Sequence, residues 1–526
     1  MSARGAVRSM MMATLVSRAL GFTKAILLVT AIGGTSAAVG GQAFGIANTA
    51  PTILFALIAG GILGAILVPQ LVRELRAGPA GQRNIDRLLT LILTGGAAVT
   101  ILLTLCAPVI VRLTAATWSE DWTGLATALA YWCLPQVFFL IVFAVLSQVL
   151  NAREVFGPPA WAPALSNVIG IVGIVVFLLL LPSGLGAVSS WTPTMIAALA
   201  GSATLGVAVQ ALLLVIPLRR IGFRLTLRWG FDGLGHMSGL AGWTLLGVIA
   251  GQIAYLVTSN VASRAGLTLN QMRVEGPSLN SLAMAYLLLL LPHGIVTVSL
   301  TTALYTRMSH AAAQNRFAEV ASLSSSATRP VAYVSLAAAS AFVVLGPLFA
   351  DTLWGTPIIG QVLQLLAVGL LGFSQAYVLN RTSFALQDAR GPFWTQLVIA
   401  AISIVNTLAC AVLLPPELTV LGIAAGMSLA NLAGWLTAFV CLRRTLRRGG
   451  YRAAFGSEGA SSYARLLAAA IATSAAGMYL LGLVPPASTF GGGVLMLVAT
   501  ATLVGGLFVV ISRLLGDLTL GSWLRR

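Results

Sequence analysis

The sequence is poor in charge, and above all in acidic residues. Charged side chains make up 8% of the 526 residues and hydrophobic ones 58%, whereas ordinary soluble domains carry roughly 25% charged residues. This shortage excludes a soluble globular chain and indicates a polytopic membrane protein. The 30 basic and 13 acidic residues give a net charge of +17. Because the basic residues are dispersed in short loops, we expect no nucleic-acid partner.

Cysteine and histidine are also scarce. The four cysteines lie in or beside apolar segments without paired spacing, and the three histidines are far apart. Such cysteines are typical of small buried apolar residues, not of a disulfide or metal framework. The loops contain no catalytic constellation and no phosphate-binding G-x-x-x-x-G-K motif. We therefore predict no metal site, no cofactor, no catalytic residue and no enzymatic activity.

Acidic residues are absent from the middle of the apolar segments. All thirteen fall in predicted loops or at segment ends. An ionisable group deep in a span usually marks a functional pathway. A proton relay through a buried carboxylate is therefore not expected.

What the chain does contain is fourteen apolar segments of spanning length. They run roughly over 10–32, 43–70, 88–111, 125–150, 161–182, 195–217, 237–262, 278–305, 330–352, 357–380, 392–414, 418–441, 462–484 and 490–512. The predicted fold is an all-α polytopic membrane protein of about 14 transmembrane helices. Pro51, Pro135 and Pro292 predict interruptions in the second, fourth and eighth spans, either beside a wet cavity or as structural kinks.

The arginines predict the orientation of these spans. If loops are assigned alternately from an inside N-terminus, 25 arginines fall on the inside and three on the outside. Cytoplasmic loops carry such an excess of basic residues. We therefore predict a multi-pass protein of the plasma membrane with both termini in the cytoplasm, and contacts between its basic loops and anionic lipids.

Two motifs recur along the chain. The Gly-Pro motif occurs at Gly157-Pro158 and again 234 positions later at Gly391-Pro392. The Leu-Arg-Arg motif occurs at Leu218-Arg219-Arg220 and again at Leu442-Arg443-Arg444. A six-span unit returns the chain to the same side of the membrane, so these echoes predict parallel repeats. We expect six-helix bundles at 1–220 and 221–450, related by a pseudo-two-fold axis along the membrane normal and facing a central cavity. Residues 451–526 would add two helices and a short cytoplasmic tail.

The first span carries two cations, Arg18 and Lys24, inside an apolar stretch. A charge at bilayer depth costs about 3 kcal/mol on insertion scales, so such residues usually face a wet cavity. At 100° per residue, both lie within about 60° of Gly21, and Ser17 lies about 40° from it. This small, polar, cationic face predicts a cavity lining. The alternative is that both cations snorkel to the headgroups.

Four stretches resemble one known family. Ser17 to Lys24 is similar to the opening helix of the MurJ/MviN lipid II flippases, within the multidrug/oligosaccharidyl-lipid/polysaccharide exporter superfamily. Asn151 to Asn167, Leu291 to Ile295 and Phe384 to Pro392 resemble three further family motifs. The resemblance covers nearly the whole chain and is nearest to the actinobacterial branch. Gln42, Phe55, Ala56 and Leu287 stand where the family often has charged residues.

The resemblance implies a flippase that moves lipid II, an undecaprenyl-diphosphate-linked peptidoglycan precursor, from the inner to the outer leaflet by alternating access. The predicted substrate-binding residues are Arg18, Lys24, Ser17, Gly21 and, in the second span, Asn48. A guanidinium and an ammonium group suit a diphosphate. Cell-wall synthesis proteins are further expected partners. Two main alternatives remain: an exporter of another polyprenyl-linked glycan, and a non-transporting scaffold for cell-wall synthesis. An integral-membrane glycosyltransferase is a weaker alternative, because the short loops leave little room for a catalytic domain.

Overall fold

The described part of the chain is α-helical, with no strand. The computed structural model describes residues 3–58, 78–153, 155–180, 188–223, 226–230, 239–451, 460–485 and 489–516. Its helices, numbered here in chain order, are α1 (Ala3–Ile32), α2 (Val39–Ile58), α3 (Gly78–Leu105), α4 (Ala107–Thr114), α5 (Glu120–Cys133), α6 (Gln136–Ala152), α7 (Gly157–Leu179), α8 (Pro193–Ile196), α9 (Ser202–Leu212), α10 (Val215–Arg220), α11 (Gly239–Gln271), α12 (Leu279–Pro292), α13 (Ser299–Ala313), α14 (Phe317–Trp354), α15 (Ile358–Ala367), α16 (Leu370–Ala385), α17 (Arg390–Leu413), α18 (Pro416–Arg448), α19 (Ala460–Gly482) and α20 (Phe490–Leu514).

These helices confirm the predicted all-α membrane fold. Within the described residues, 12 helices are long and apolar enough to cross a membrane, or 13 if the bent pair α15 and α16 forms one span. The remaining predicted span, 43–70, begins in α2 and continues outside the described residues. Several helices extend well beyond their predicted spans. The longest, α14, has 38 residues and a length of about 57 Å, which exceeds the roughly 30 Å hydrocarbon core of a bilayer.

The predicted proline interruptions take three different forms. Pro135 does separate α5 from α6. At Pro292 the chain stays helical and forms a π-helical turn over His293–Val298. At Pro51 the described chain has no break, because α2 continues through this proline to Ile58. Neighbouring helices can satisfy the backbone carbonyl that a proline leaves without a donor.

Local sequence signals set several helix ends. Ser278 and Ser281 form a reciprocal capping box at the start of α12, which satisfies amide groups that a helix leaves unpaired. At the starts of α8 and α20, the side-chain oxygens of Thr192 and Thr489 each accept a hydrogen bond from a backbone amide of the first turn. Gly355 ends α14 in the left-handed conformation at φ 69°, which glycine adopts without steric penalty.

The first compact unit comprises residues 1–249. In it, α7 packs against α1 and also against α9, and α2 packs against α5. Close approach on the α9 side is possible because Gly173 lies directly against Ser202, and Gly206 lies against Ser166. The same unit contains an apolar core, whose fully buried members include Ile85, Leu89, Val145, Leu150 and Leu214.

The second compact unit comprises residues 250–526. The long helix α14 packs against α15, α16, α19 and α20, and α17 forms an antiparallel pair with α18. Gly346 and Gly360 bring α14 and α15 into backbone contact. The last two helices therefore attach to α14, where Phe508 of α20 meets Tyr333 with ring centroids 5.2 Å apart.

The repeated Gly-Pro motif marks equivalent positions in two helices. Gly157-Pro158 opens α7, and Gly391-Pro392 lies in the first turn of α17. Proline is favoured there because the first amide groups of a helix have no intrahelical acceptor. The two helices end at Leu179 and Leu413, again 234 positions apart. The motif thus has the same structural function in both places.

Candidate substrate-binding site

The predicted site begins on α1, whose polar face lies against α7. Asn167 of α7 donates a hydrogen bond from Nδ2 to the carbonyl oxygen of Ser17 at 2.9 Å, and its Nδ2 lies 3.5 Å from the Ser17 hydroxyl. A Cβ atom on Gly21 would lie 3.3 Å from the same nitrogen. Ser17 and Gly21, one turn apart on α1, thus form the surface against which Asn167 packs. Their predicted contact with substrate stays a prediction.

Lys24 extends along the same side of α1 and crosses a glycine of α7. A Cβ atom on Gly170 would lie 2.8 Å from Cδ of Lys24 and 3.8 Å from Cε. The aliphatic stem of the lysine therefore occupies the space that a methyl group would fill. Lys24 is partly buried in this position. The contact of the stem with Gly170 narrows the positions that the ammonium group can reach.

Arg18 lies on the flank of this contact. Successive residues of a helix are 100° apart, so Arg18 points about 100° away from Ser17 and therefore away from the contact with Asn167. The side chain is partly exposed. The two cations of α1 are therefore placed differently, since the stem of Lys24 packs on α7 whereas Arg18 lies beside that interface.

Neither cation is neutralised by a described acid. Among the residues that the structure describes, no carboxylate lies within ion-pair distance of Arg18 or Lys24. The same part of the chain holds no cluster of side chains able to bind a metal ion. An uncompensated positive charge within an apolar span is expected to have a use, because it is costly to insert. An anionic ligand would supply the missing charge.

Asn48 of α2 has a different neighbour. Its Oδ1 accepts a hydrogen bond from Nε2 of Gln136 at 3.3 Å. Gln136 is the first residue of α6, directly after the Pro135 interruption. The bond thus joins the predicted site residue of the second span to the break in the fourth. Its contact with substrate also stays a prediction.

The sequence did not predict Asn167 and Gly170 as neighbours of the cationic residues. Asn167 was recognised only as the end of a family motif, and Gly170 had no assigned function. The spacing of Gly170 and Gly173 is the one available signal, since small residues three positions apart line up on one helix face and favour close helix packing. Such spacing does not say which helix packs there.

The chain is similar in sequence to known proteins of one family. The family model described as "Lipid II flippase MurJ" matches residues 29–499. A probable lipid II flippase MurJ of Rhizobium meliloti (strain 1021) is 26% identical over 458 residues, which cover 83% of this chain and 79% of that protein. A probable lipid II flippase MurJ of Rhizobium tropici is 25% identical over 453 residues, which cover 83% and 80%.

Solved structures show the same fold. A lipid II flippase MurJ in an inward closed conformation superposes with a TM-score of 0.70 at 18% identity, over 95% of this chain and 98% of that one. An inward-facing multidrug resistance MATE family transporter of the MOP superfamily gives a TM-score of 0.66 at 16% identity, over 83% and 96%. Since the family model matches most of the sequence, the chain belongs to the lipid II flippase MurJ family.

Proposed function

We propose that this protein is a flippase that moves lipid II across the membrane. The observation that carries this proposal is the pair of cations on α1, neither of which has a described carboxylate partner. Membership of the family and the polytopic all-α fold support the same function. In this proposal the protein translocates its substrate and catalyses no covalent reaction.

The chemistry of the substrate explains the cations. A lipid-linked glycan carries a diphosphate that must leave the headgroup layer, and a guanidinium or ammonium group replaces part of its lost hydration. Arg18 and Lys24 would contact the diphosphate, while the polyprenyl chain stays in lipid. Gly170 would direct the ammonium group by fixing the lysine stem, and Asn167 would hold α1 in register through Ser17. Ser17, Gly21 and Asn48 are further proposed contacts of the substrate.

The proposal extends to topology and motion. Residues 1–220 and 221–450 would act as two six-helix bundles in alternating access, with 451–526 adding two helices. Both termini would lie in the cytoplasm, and the membrane would be the plasma membrane. The arginine-rich inner loops would contact anionic lipids, and cell-wall synthesis proteins would receive the exported precursor.

A bacterial strain depleted of its own lipid II flippase tests this function. We expect the protein to restore growth and the appearance of lipid II on the outer surface, as detected with an impermeant label. Restored export of a different polyprenyl-linked glycan, without lipid II, would favour the other exporter function. Growth without any export would instead favour a scaffold.

A further inference from the structure

A third cation, far from α1 in the sequence, lies one turn before the end of α16, close to two tyrosine rings. Cζ of Arg381 is 5.2 Å from the ring centroid of Tyr377, one turn earlier on the same helix, and 6.0 Å from that of Tyr305 on α13. Nε of Arg381 donates a hydrogen bond to the Tyr377 hydroxyl at 3.2 Å. A guanidinium within about 6 Å of an aromatic centroid is attracted by the ring. We call Arg381, Tyr305 and Tyr377 the tyrosine bracket.

The backbone beneath Arg381 is held by buried polar contacts. Thr382, the next residue, is fully buried, and its hydroxyl lies 3.0 Å from Oγ of Ser324 on α14. The same hydroxyl lies 3.6 Å from the sulfur of Met308 on α13. Because three helices meet at this one hydroxyl, the helix turn that carries the arginine is fixed.

The tyrosine that contacts the arginine is fixed as well. His293, in the π-helical turn, meets the Tyr377 ring edge-on with centroids 5.1 Å apart. Nδ1 of this buried histidine lies 3.0 Å from Oγ of Ser374, one turn before Tyr377. The bracket is therefore organised before any ligand arrives, which reduces the ordering that binding requires.

The charge of the bracket is not neutralised within the described residues. The Arg381 side chain is exposed, and no described carboxylate lies within ion-pair distance of it. By contrast, Arg316 pairs with Glu319 at 2.6 Å. Nε donates to a neutral phenol, and the two terminal nitrogens of this exposed side chain make no hydrogen bond to any described group. Their fork geometry matches two oxygens of a phosphoryl group.

We propose that the tyrosine bracket is a docking site for the diphosphate of the lipid-linked substrate, used before the headgroup reaches the cations of α1. This inference rests on the proposed flippase function and adds a second substrate site to it. The arginine distribution predicts that this end of α16 is cytoplasmic, which is the side where a flippase takes up its substrate. The phosphodiester of an anionic phospholipid shares the phosphoryl chemistry and is the competing source of the ligand.

Binding of fluorescent lipid II to the full-length protein in phosphatidylcholine nanodiscs tests the proposal. We expect Arg381→Ala to weaken binding about tenfold, because charge-assisted hydrogen bonds are among the stronger ones. Arg381→Lys should recover only part of this loss, since an ammonium group lacks the planar fork. Tyr377→Phe keeps the ring but removes the oxygen that orients Nε, so we expect a loss of about threefold, with unchanged thermal stability.

Arg307→Ala is the matched control, because Arg307 is an exposed arginine on α13, the helix that carries Tyr305. It should leave binding within about twofold of the wild type. Equal losses from Arg307→Ala and Arg381→Ala would overturn the proposal in favour of general electrostatic attraction. Farnesyl diphosphate should compete with lipid II at the bracket; equally strong competition by phosphatidylglycerol would show a phospholipid site and overturn it too. Failure of the wild type to bind lipid II would refute the proposed function instead.

Discussion

At Lys24, a glycine on the neighbouring helix decides where the ammonium group can lie. The Gly170→Ala substitution would introduce a methyl group 2.8 Å from Cδ of this lysine, closer than unstrained carbon atoms pack. The stem is flexible, so we expect it to move while the helix pair stays folded. Lipid II translocation should fall severalfold, with little change in protein level, because the ammonium group leaves its position.

The Gly95→Ala substitution in α3 is the matched control, since nothing lies within 4 Å of a Cβ atom there. Both variants should insert equally well and melt within a few degrees of the wild type. Translocation in vesicles, normalised to protein amount, distinguishes them. If Gly170→Ala transported as fast as Gly95→Ala, then the position of the lysine stem would not matter for function.

At the residue scale, the sequence alone shows where charged residues lie within the spans, but it does not show which side chains contact each other between helices. Arg18 and Lys24 are evident because no other charged residue interrupts their apolar run. The side of α1 that packs on α7 was not evident, because Ser17 and Gly21 suit either a wet cavity or a close helix contact. The structure shows that Asn167 of α7 contacts α1 at both of these residues.

At the scale of helices, two linked hydrogen bonds attach α19 to two earlier helices. The hydroxyl of Tyr463 donates to Oε1 of Gln375 on α16 at 3.1 Å, and Nε2 of Gln375 donates to the carbonyl oxygen of Thr328 on α14 at 2.8 Å. Gln375 is fully buried, so its side-chain amide depends on these partners. These bonds therefore set the position of α19 beside the rest of its unit.

We expect Tyr463→Phe to destabilise the protein by about 1 kcal/mol, because it leaves the buried Gln375 oxygen without a donor. This is near the average measured for interhelical hydrogen bonds in membranes, which is about 0.6 kcal/mol. Thermal unfolding in detergent measures the change. Tyr479→Phe, on the same helix but 69% exposed, should have no effect. A Tyr463→Phe variant as stable as Tyr479→Phe would contradict the assigned contact.

Helix positions were the most predictable feature at this scale, because a span must be long and apolar to cross a bilayer. Their interruptions were not. A proline such as Pro51 leaves open whether neighbouring helices satisfy the freed carbonyl group, and that depends on tertiary packing. The same reason explains why Pro292 led to a π-helical turn and not to a break. Helices such as α14 extend past the predicted spans, because polar helix turns carry no hydropathy signal.

At the scale of the whole molecule, the arginine distribution predicts which loops lie outside. After removal of the native cysteines, single cysteines at Ala37 and Ser189 should react with an impermeant thiol reagent added to intact cells. Cysteines at Gln314 and Gly450 should react only after permeabilisation. All four positions are exposed, so access to the reagent depends on the side of the membrane and not on burial. The reverse labelling pattern would refute the predicted topology.

The central claim is that cations on α1 carry the diphosphate of lipid II across the membrane. Its most direct test is to measure translocation of fluorescent lipid II in vesicles that contain the purified protein. An impermeant quencher reports the fraction of lipid II that reaches the outer leaflet. We expect Arg18→Ala to slow translocation strongly, Arg18→Lys to slow it less, and Lys24→Ala to act somewhat more mildly than Arg18→Ala. Removing a charge eases insertion, so protein levels should not fall. The Arg18→Ala/Lys24→Ala double variant should translocate at the rate of empty vesicles; translocation at the wild-type rate would contradict the cationic mechanism.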